Sequence, residues 1–175
     1  MANRTEIRIG GSGGQGVVLA ARILGKAAVL NGRNVLQTQA YGAEARGSLA
    51  KSEVIISDSR IGFPAVRKCD ILVAMNQESI DALLKDLKEN GIMIVDSTYV
   101  TSVPETRAKV YRIPITETAK KTFGEAMYAN MVMLGVLTKI TNLVGKKAIE
   151  EAIKESVPER TVETNINAFR KGLQL

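Results

Sequence analysis

The spacing of apolar and polar positions predicts a chain that alternates strands with helices and then becomes wholly helical. Ile7-Arg8-Ile9 is a short β-rich run leading into five glycines within residues 10–16, and the apolar run from Val17 to Ala21 opens a helix expected over residues 17–30. Gly25 inside that helix predicts a close approach to a strand, and Asn31-Gly32 ends it. Residues 34–39 read as a second strand. Residues 51–57 read as a third, whose polar first half predicts an edge position or a curl out of the sheet. Residues 70–75 form a buried strand of the parallel type. Asn76 then caps a helix carrying Ile80, Leu83, Leu84 and Leu87 at i, i+3, i+4 and i+7, with Asn90-Gly91 at its end. Strands follow at 92–95 and 109–114, the second stopped by Pro114, and helices at 115–123, 126–143, 146–157 and 159–173.

This order predicts an α/β protein: a Rossmann-like three-layer sandwich with a mainly parallel sheet and a helical C-terminal part, built as one domain over residues 1–175. Loops after strands in an open α/β sheet gather over its carboxyl edge, where ligands bind. Four segments are expected to meet there: Gly11 to Gly16, Tyr41 to Ser48, Met75 to Gln77, and Asp96 to Thr98. Asp96 reads either as a binding residue or as the cap of a turn.

The first of these segments carries the strongest chemical signal. Gly11-x-Gly13-x-x-Gly16 has the spacing of a dinucleotide-type strand–turn–helix, whose glycines allow a tight turn, approach of backbone N–H groups to an anion, and close helix packing. The helix start beyond it favours a phosphate or carboxylate, although the same spacing also serves a tight turn that binds nothing. Use of NAD would require an acidic residue at the end of the second strand. Gln37, Thr38 and Gln39 stand there instead, and Arg33 lies at the strand's other end. In the second segment Arg46 has the planar fork that clamps an anion; the alternative is a Glu44–Arg46 surface loop. Met127, Met131, Met133, Leu134, Leu137 and Ile140 at helical spacing read as core or subunit contact, and Asn130 among them needs a polar partner.

Composition narrows the chemistry. One cysteine, Cys69, and no histidine exclude a disulfide, a cysteine zinc site, an iron–sulfur cluster held by this chain alone, and a histidine base. A net charge of +6 suits anionic ligands or an acidic partner, but the basic residues are scattered and lack interleaved aromatics, which argues against nucleic acid. With four Tyr, three Phe and no Trp, the core must be aliphatic. The N-terminal residues are polar and no apolar run reaches about 18 residues, so neither export nor a membrane span is expected and the compartment is the cytoplasm.

The sequence resembles the gamma subunits of the 2-oxoacid:ferredoxin (acceptor) oxidoreductases, the pyruvate and 2-oxoglutarate ferredoxin oxidoreductase family. The likeness rests on Gly11-Ser12-Gly13-Gly14-Gln15-Gly16 with its helix and, above all, on Tyr41-Gly42-Ala43-Glu44-Ala45-Arg46-Gly47. It extends to the Phe63-Pro64 turn, the Asp70-Ile71-Leu72-Val73 strand and the Asn130 helix, and departs at Ala43, where the family usually carries proline. The resemblance implies a cytoplasmic complex that oxidatively decarboxylates a 2-oxoacid, transfers the acyl group to coenzyme A and passes electrons to ferredoxin. Thiamine diphosphate and 4Fe–4S clusters are implied on companion alpha, beta and delta subunits, with ferredoxin reached through the complex and a homodimer of this chain as a further arrangement. This chain is then expected to supply assembly surface and part of the coenzyme A environment, to bind no cofactor alone, and to be inactive in isolation. Its expected cofactor-binding residues are Gly11, Ser12, Gly13, Gly14, Gln15, Gly16, Tyr41, Glu44 and Arg46, with no catalytic residue and no metal ligand. Among the 2-oxoacids, 2-oxoglutarate is preferred. Two readings compete: an NAD-dependent oxidoreductase and a purely structural module.

Overall fold

A computed structural model describes residues 3–43 and 47–175. Six strands form one sheet: β1 Arg4–Ser12, β2 Asn34–Tyr41, β3 Leu49–Ser57, β4 Cys69–Ala74, β5 Leu87–Asp96 and β6 Lys109–Ile113. Their spatial order is β2-β3-β1-β4-β5-β6. The neighbours β1, β4, β5 and β6 run parallel, whereas β3 lies antiparallel to both β1 and β2. The helices are α1 Val17–Leu30, α2 Gln77–Leu83, α3 Ile115–Phe123, α4 Ala129–Thr141, α5 Lys146–Lys154 and α6 Val162–Gly172. The α/β sandwich, the mainly parallel sheet and the helical C-terminal part are as the sequence predicts.

Alternation along the strands sorts the core into two layers. Ile7 and Ile9 of β1 point to one face, where they join α1, α4, α5 and α6 in the larger apolar cluster around Phe169. The other face is covered by α2 and by segments that contribute Val66 and Val100 to a smaller cluster with Leu72, Ile80 and Met93. As its glycine predicts, α1 lies close to the sheet: a Cβ at Gly25 would stand 3.2 Å from Val35 Cγ1.

Two expectations fail, each for a physical reason. β3 is an interior strand, not an edge, because its polar side chains are paired across strands rather than wetted. Glu53 accepts from Arg8 Nε at 2.9 Å and Nη2 at 2.6 Å, and Ser52 donates to Thr38 O at 3.0 Å. The helix begun at Asn76 ends at Leu83 and not at Asn90-Gly91. A 3-10 turn over Leu84–Asp86 follows, and Leu87 already belongs to β5. Asp86 is held there by Arg8 Nη1 at 2.7 Å, and five residues of β5 span two of β4 between the pairs Cys69–Leu87 and Ile71–Ile92. Leu87 reaches the same apolar cluster as Ile80 and Leu83, but from a strand. Sequence spacing alone does not distinguish the two routes.

The helical layer is locked by α4 against α6. A Cβ on Gly135 would lie 2.1 Å from Phe169 O, and one on Gly172 would lie 2.0 Å from Val132 O, so the two backbones touch where neither carries a side chain. Gly135→Ala is expected to cost about 3 kcal/mol, the upper range for overpacking, because backbone cannot retreat as a side-chain tip can. Urea unfolding would read this as a lower midpoint with an unchanged slope; an unaltered midpoint would mean that the helices slide apart freely.

Candidate functional site

The carboxyl end of β1 passes directly into the glycine loop. Gly14 and Gly16 sit at φ 98° and 72°, the left-handed region open to glycine, and Gly16 caps α1 without a side chain. The loop is tied internally. Gln15 N donates to Ser12 O at 3.0 Å, the Gln15 amide accepts from Ser12 N at 2.7 Å, and its Nε2 donates to Met75 O at 3.2 Å. Ser12 Oγ accepts from Asn76 Nδ2 at 2.6 Å. A Cβ on Gly11 would lie 2.8 Å from both Gln15 Oε1 and Val17 Cγ1, so its lack of a side chain is a packing requirement. Of the expected site residues, Gly11, Ser12 and Gln15 are thus engaged within the chain, while Gly13 and Gly14 are exposed.

The second glycine-rich segment lands on the first. Gly13 N donates to Ser48 O at 3.0 Å, and Gly42 N to Leu49 O at 2.9 Å. A cleft of about 220 Å³ opens between them, lined by Gly13, Gly14, Gly16, Val18, Tyr41 and Ala50 among others, with Tyr41 61% exposed. Glu44 and Arg46 lie outside the described residues. The first-turn N–H groups of α1, at Val17, Val18 and Leu19, have no intrahelical partner by the geometry of a helix start, and the helix dipole adds partial positive charge there.

The four expected segments do not all converge. Met75 and Asn76 join the glycine loop through the bonds above, but the Gln77 side chain turns away and accepts from Thr101 N at 3.0 Å. Asp96 stands two strands from β1, fully buried, and its carboxylate is consumed by Thr98 N at 3.0 Å, Thr116 N at 3.1 Å and Thr116 Oγ1 at 2.5 Å. It caps its own turn and the start of α3, which leaves it no part in the cleft. Asn130 reaches the loop across 114 positions of sequence: its Nδ2 donates to Gly16 O at 3.3 Å, while its buried Oδ1 has no partner. The polar residue that looked out of place in an apolar helix fastens the head of α1.

Sequence spacing missed one feature of the sheet, the buried Arg8, which pairs with Glu53 and Asp86 and donates to Val66 O at 2.8 Å. A charge between Ile7 and Ile9 was its only signal. A larger cavity, about 590 Å³, opens at the amino ends of β1, β4 and β5 beside Ile140 and Thr141. It lies at the wrong end of the parallel strands for a ligand site of this fold, so the glycine-loop cleft is the candidate.

The strand order bears on the NAD reading. In the dinucleotide fold the strand that carries the ribose-binding acid lies next to the first; here antiparallel β3 occupies that place and β2 is displaced to the edge. The residues also do not fit a metal cluster. Among the described residues no three His, Cys, Asp or Glu are grouped to hold a metal ion, and the single thiol, Cys69, is fully buried. Burial pushes that thiol up to about 11, against a weaker lowering by Arg8.

Fold and cleft define a class, an α/β protein with a glycine loop at a helix head and a second glycine-rich segment bonded to it. The chain belongs to the pyruvate ferredoxin/flavodoxin oxidoreductase family, whose sequence profile matches residues 6–175. It is 47% identical over 175 residues to 2-oxoglutarate synthase subunit KorC of Methanocaldococcus jannaschii, covering 98% of this chain and 94% of that one. The crystal structure of the keto/oxoacid ferredoxin oxidoreductase gamma subunit of Geobacter sulfurreducens matches with a TM-score of 0.87 and 43% identity, over 97% of this chain and 96% of that one. Within the family the chain is of the gamma-subunit type. The same fold occurs in the 2-oxoglutarate:ferredoxin oxidoreductase of Magnetococcus marinus, solved with 2-oxoglutarate, coenzyme A and succinyl-CoA bound (TM-score 0.88, 24% identity, 98% of this chain and 30% of that one).

Two measurements check this geometry. Gly16→Ala forces a methyl into φ 72° and to 2.4 Å from Asn130 Nδ2; a loss of about 2 kcal/mol in urea unfolding is expected. Adding Asn130→Ala should relieve the crowding and leave the backbone strain, so the two losses should not add. Cys69, neutral below about pH 11, should stay unlabelled by iodoacetamide at pH 8 in the native chain and react on unfolding. Rapid native labelling would contradict its burial.

Proposed function

We propose that this chain is the gamma-type subunit of a coenzyme A-acylating 2-oxoglutarate:ferredoxin oxidoreductase, and that its glycine-loop cleft receives an anionic part of coenzyme A. The assignment to 2-oxoglutarate is supported by the near full-length similarity to KorC at 47% identity. The site reading is supported above all by the Gly13–Ser48 bond, which sets the glycine loop beside the end of the second glycine-rich segment. There the first-turn N–H groups of α1 offer hydrogen bonds to a phosphate, and Tyr41 offers a flat apolar wall. Arg46, next in sequence to Gly47, supplies the cation. At about 220 Å³ the cleft suits one portion of coenzyme A, and neighbouring subunits hold the remainder.

In the complex, thiamine diphosphate and the iron–sulfur clusters reside on companion chains and supply decarboxylation and electron transfer. This chain's part is to position: Gln15 and Asn76 hold the loop, Asn130 holds the helix head, and the first-turn N–H groups of α1 meet developing or resident negative charge without having to reorganise. Its residues act as binding and positioning groups, and the chain alone is inactive. The complex resides in the cytoplasm.

The complex, purified from cells with its companion subunits, gives the test. Arg46→Ala removes a charge-assisted hydrogen bond worth roughly 1.5–3 kcal/mol, so the KM for coenzyme A should rise about tenfold or more, with the KM for 2-oxoglutarate within about twofold. An intact complex with an unchanged KM for coenzyme A would remove Arg46 and the cleft from cofactor binding. Faster turnover with pyruvate than with 2-oxoglutarate would overturn the substrate assignment alone.

A further inference from the structure

The two ends of the sheet are unlike. β6 is short and carries Lys109 and Arg112 within five residues, the charged and abbreviated form that keeps a free edge from pairing. β2 runs for eight residues, Asn34-Val35-Leu36-Gln37-Thr38-Gln39-Ala40-Tyr41, with no charge, no proline and no break in its register with β3. Among the described residues no strand lies beyond it, and from Thr38 to Tyr41 it is exposed. Such an edge is about 27 Å of unguarded hydrogen-bonding backbone.

Its outward groups follow from the pairing with β3. Gly42 N donates to Leu49 O at 2.9 Å, continuing the register that sets Tyr41 opposite Ala50. Hydrogen-bonded pairs in an antiparallel ladder recur at every second residue. Leu36, Thr38 and Ala40 therefore bond inward to β3, and Val35, Gln37, Gln39 and Tyr41 turn both N–H and C=O outward.

We propose that this edge docks antiparallel on the same edge of a second copy of the chain, about a two-fold axis at Thr38, joining two sheets into one. Such an axis stands perpendicular to the sheet and keeps its faces aligned, so a residue must meet one an even number of positions away. With Thr38 on the axis, Val35 lies opposite Tyr41, Leu36 opposite Ala40 and Gln37 opposite Gln39. All four outward residues of each copy then exchange both of their hydrogen bonds. Moving the axis to Gln37 would strand Tyr41 opposite Arg33, beyond the strand. The side chains agree with the backbone: an aromatic meets a β-branched residue, an apolar pair follows, then two amides and two threonines, with no like charges opposed. Val29, one turn beyond the Gly25 that packs on Val35, is 56% exposed and extends the apolar surface onto α1. The second copy's Val35 would border Tyr41 at the mouth of the cleft, but the pairing does not depend on what that cleft binds.

Thr38→Cys tests the register directly. The axis pair is of the non-hydrogen-bonded kind, with Cα atoms about 4.5 Å apart, within reach of a disulfide. Copper–phenanthroline oxidation of the full chain should convert Thr38→Cys to a covalent dimer and leave Gln39→Cys, displaced along the strand from its mate, uncrosslinked; buried Cys69 gives no background. Sedimentation should give twice the chain mass for the unaltered protein and once for Thr38→Lys, which sets two like charges on the axis. Both positions are exposed, and circular dichroism confirms that the variants fold. An unaltered chain that sediments as a monomer at all concentrations overturns the proposal. So does a dimer that Thr38→Lys does not break and Thr38→Cys does not link; the edge then belongs to a strand of another subunit. Neither result bears on the KM for coenzyme A, which tests the cleft separately.

Discussion

The placement of β3 is the constraint on which the candidate site depends. Its first residue, Leu49, pairs with Ser12 at the end of β1, and its second, Ala50, pairs with both Gly11 and Tyr41. Three strand ends thereby meet within two residues of β3. Ser48, just before β3, is set in this way against the glycine loop, where its carbonyl accepts from Gly13 N. An all-parallel sheet would need a crossover of a dozen or more residues between those strands and would carry the second glycine segment elsewhere. One reversed strand thus does what a helix does in a dinucleotide fold, at a fraction of the length.

The same strand brings in the buried charge. Arg8 is 3% exposed and spends its guanidinium on Glu53 of β3, Asp86 of the 3-10 turn and the carbonyl of Val66. A buried cation so fully engaged adds little net stability compared with an apolar residue of its size, but removing either partner leaves an uncompensated charge. Arg8 thus acts as a specifying contact. It draws the segment around Val66 and the end of the α2 region onto the more thinly covered face, which among the described residues carries the one short α-helix α2. On the other face the contact between Gly135 and Gly172 plays the corresponding part without charge: two helices meet only in the register where both glycines coincide.

Much of the fold was legible because local rules and packing agree. Asn76 caps α2 with its side chain on Ser79 N at 2.9 Å, and α1 keeps its predicted limits, since a glycine cap and an Asn-Gly stop need no tertiary context. The failures came where a distant partner changes the meaning of a residue. Glu53 and Ser52 read as wet until Arg8 and Thr38 are set beside them; Leu87 has helical spacing but serves from a strand; Asp96 sits at the ligand edge yet is exhausted by α3. In the cleft, the meeting of the two glycine segments could be foreseen from where loops gather in open sheets. That Gln15 is scaffold could not, because an amide in a loop carries no spacing that reveals its partner.

The central position of β1 has a consequence for how the protein is made. β1 carries Ile7 and Ile9, both destined for full burial, and its neighbours on either side are β3, complete at Ser57, and β4, complete only at Ala74, 62 residues after Ser12. At about 5–20 residues per second β4 follows β1 by roughly 3–12 s, so one flank of β1 stays open after β3 has paired with the other. The β2-β3-β1 half of the sheet can therefore assemble first, and the β4-β5-β6 half adds to the flank of β1 that remains. Until β4 arrives, the strand destined for the middle of the sheet is one of its edges.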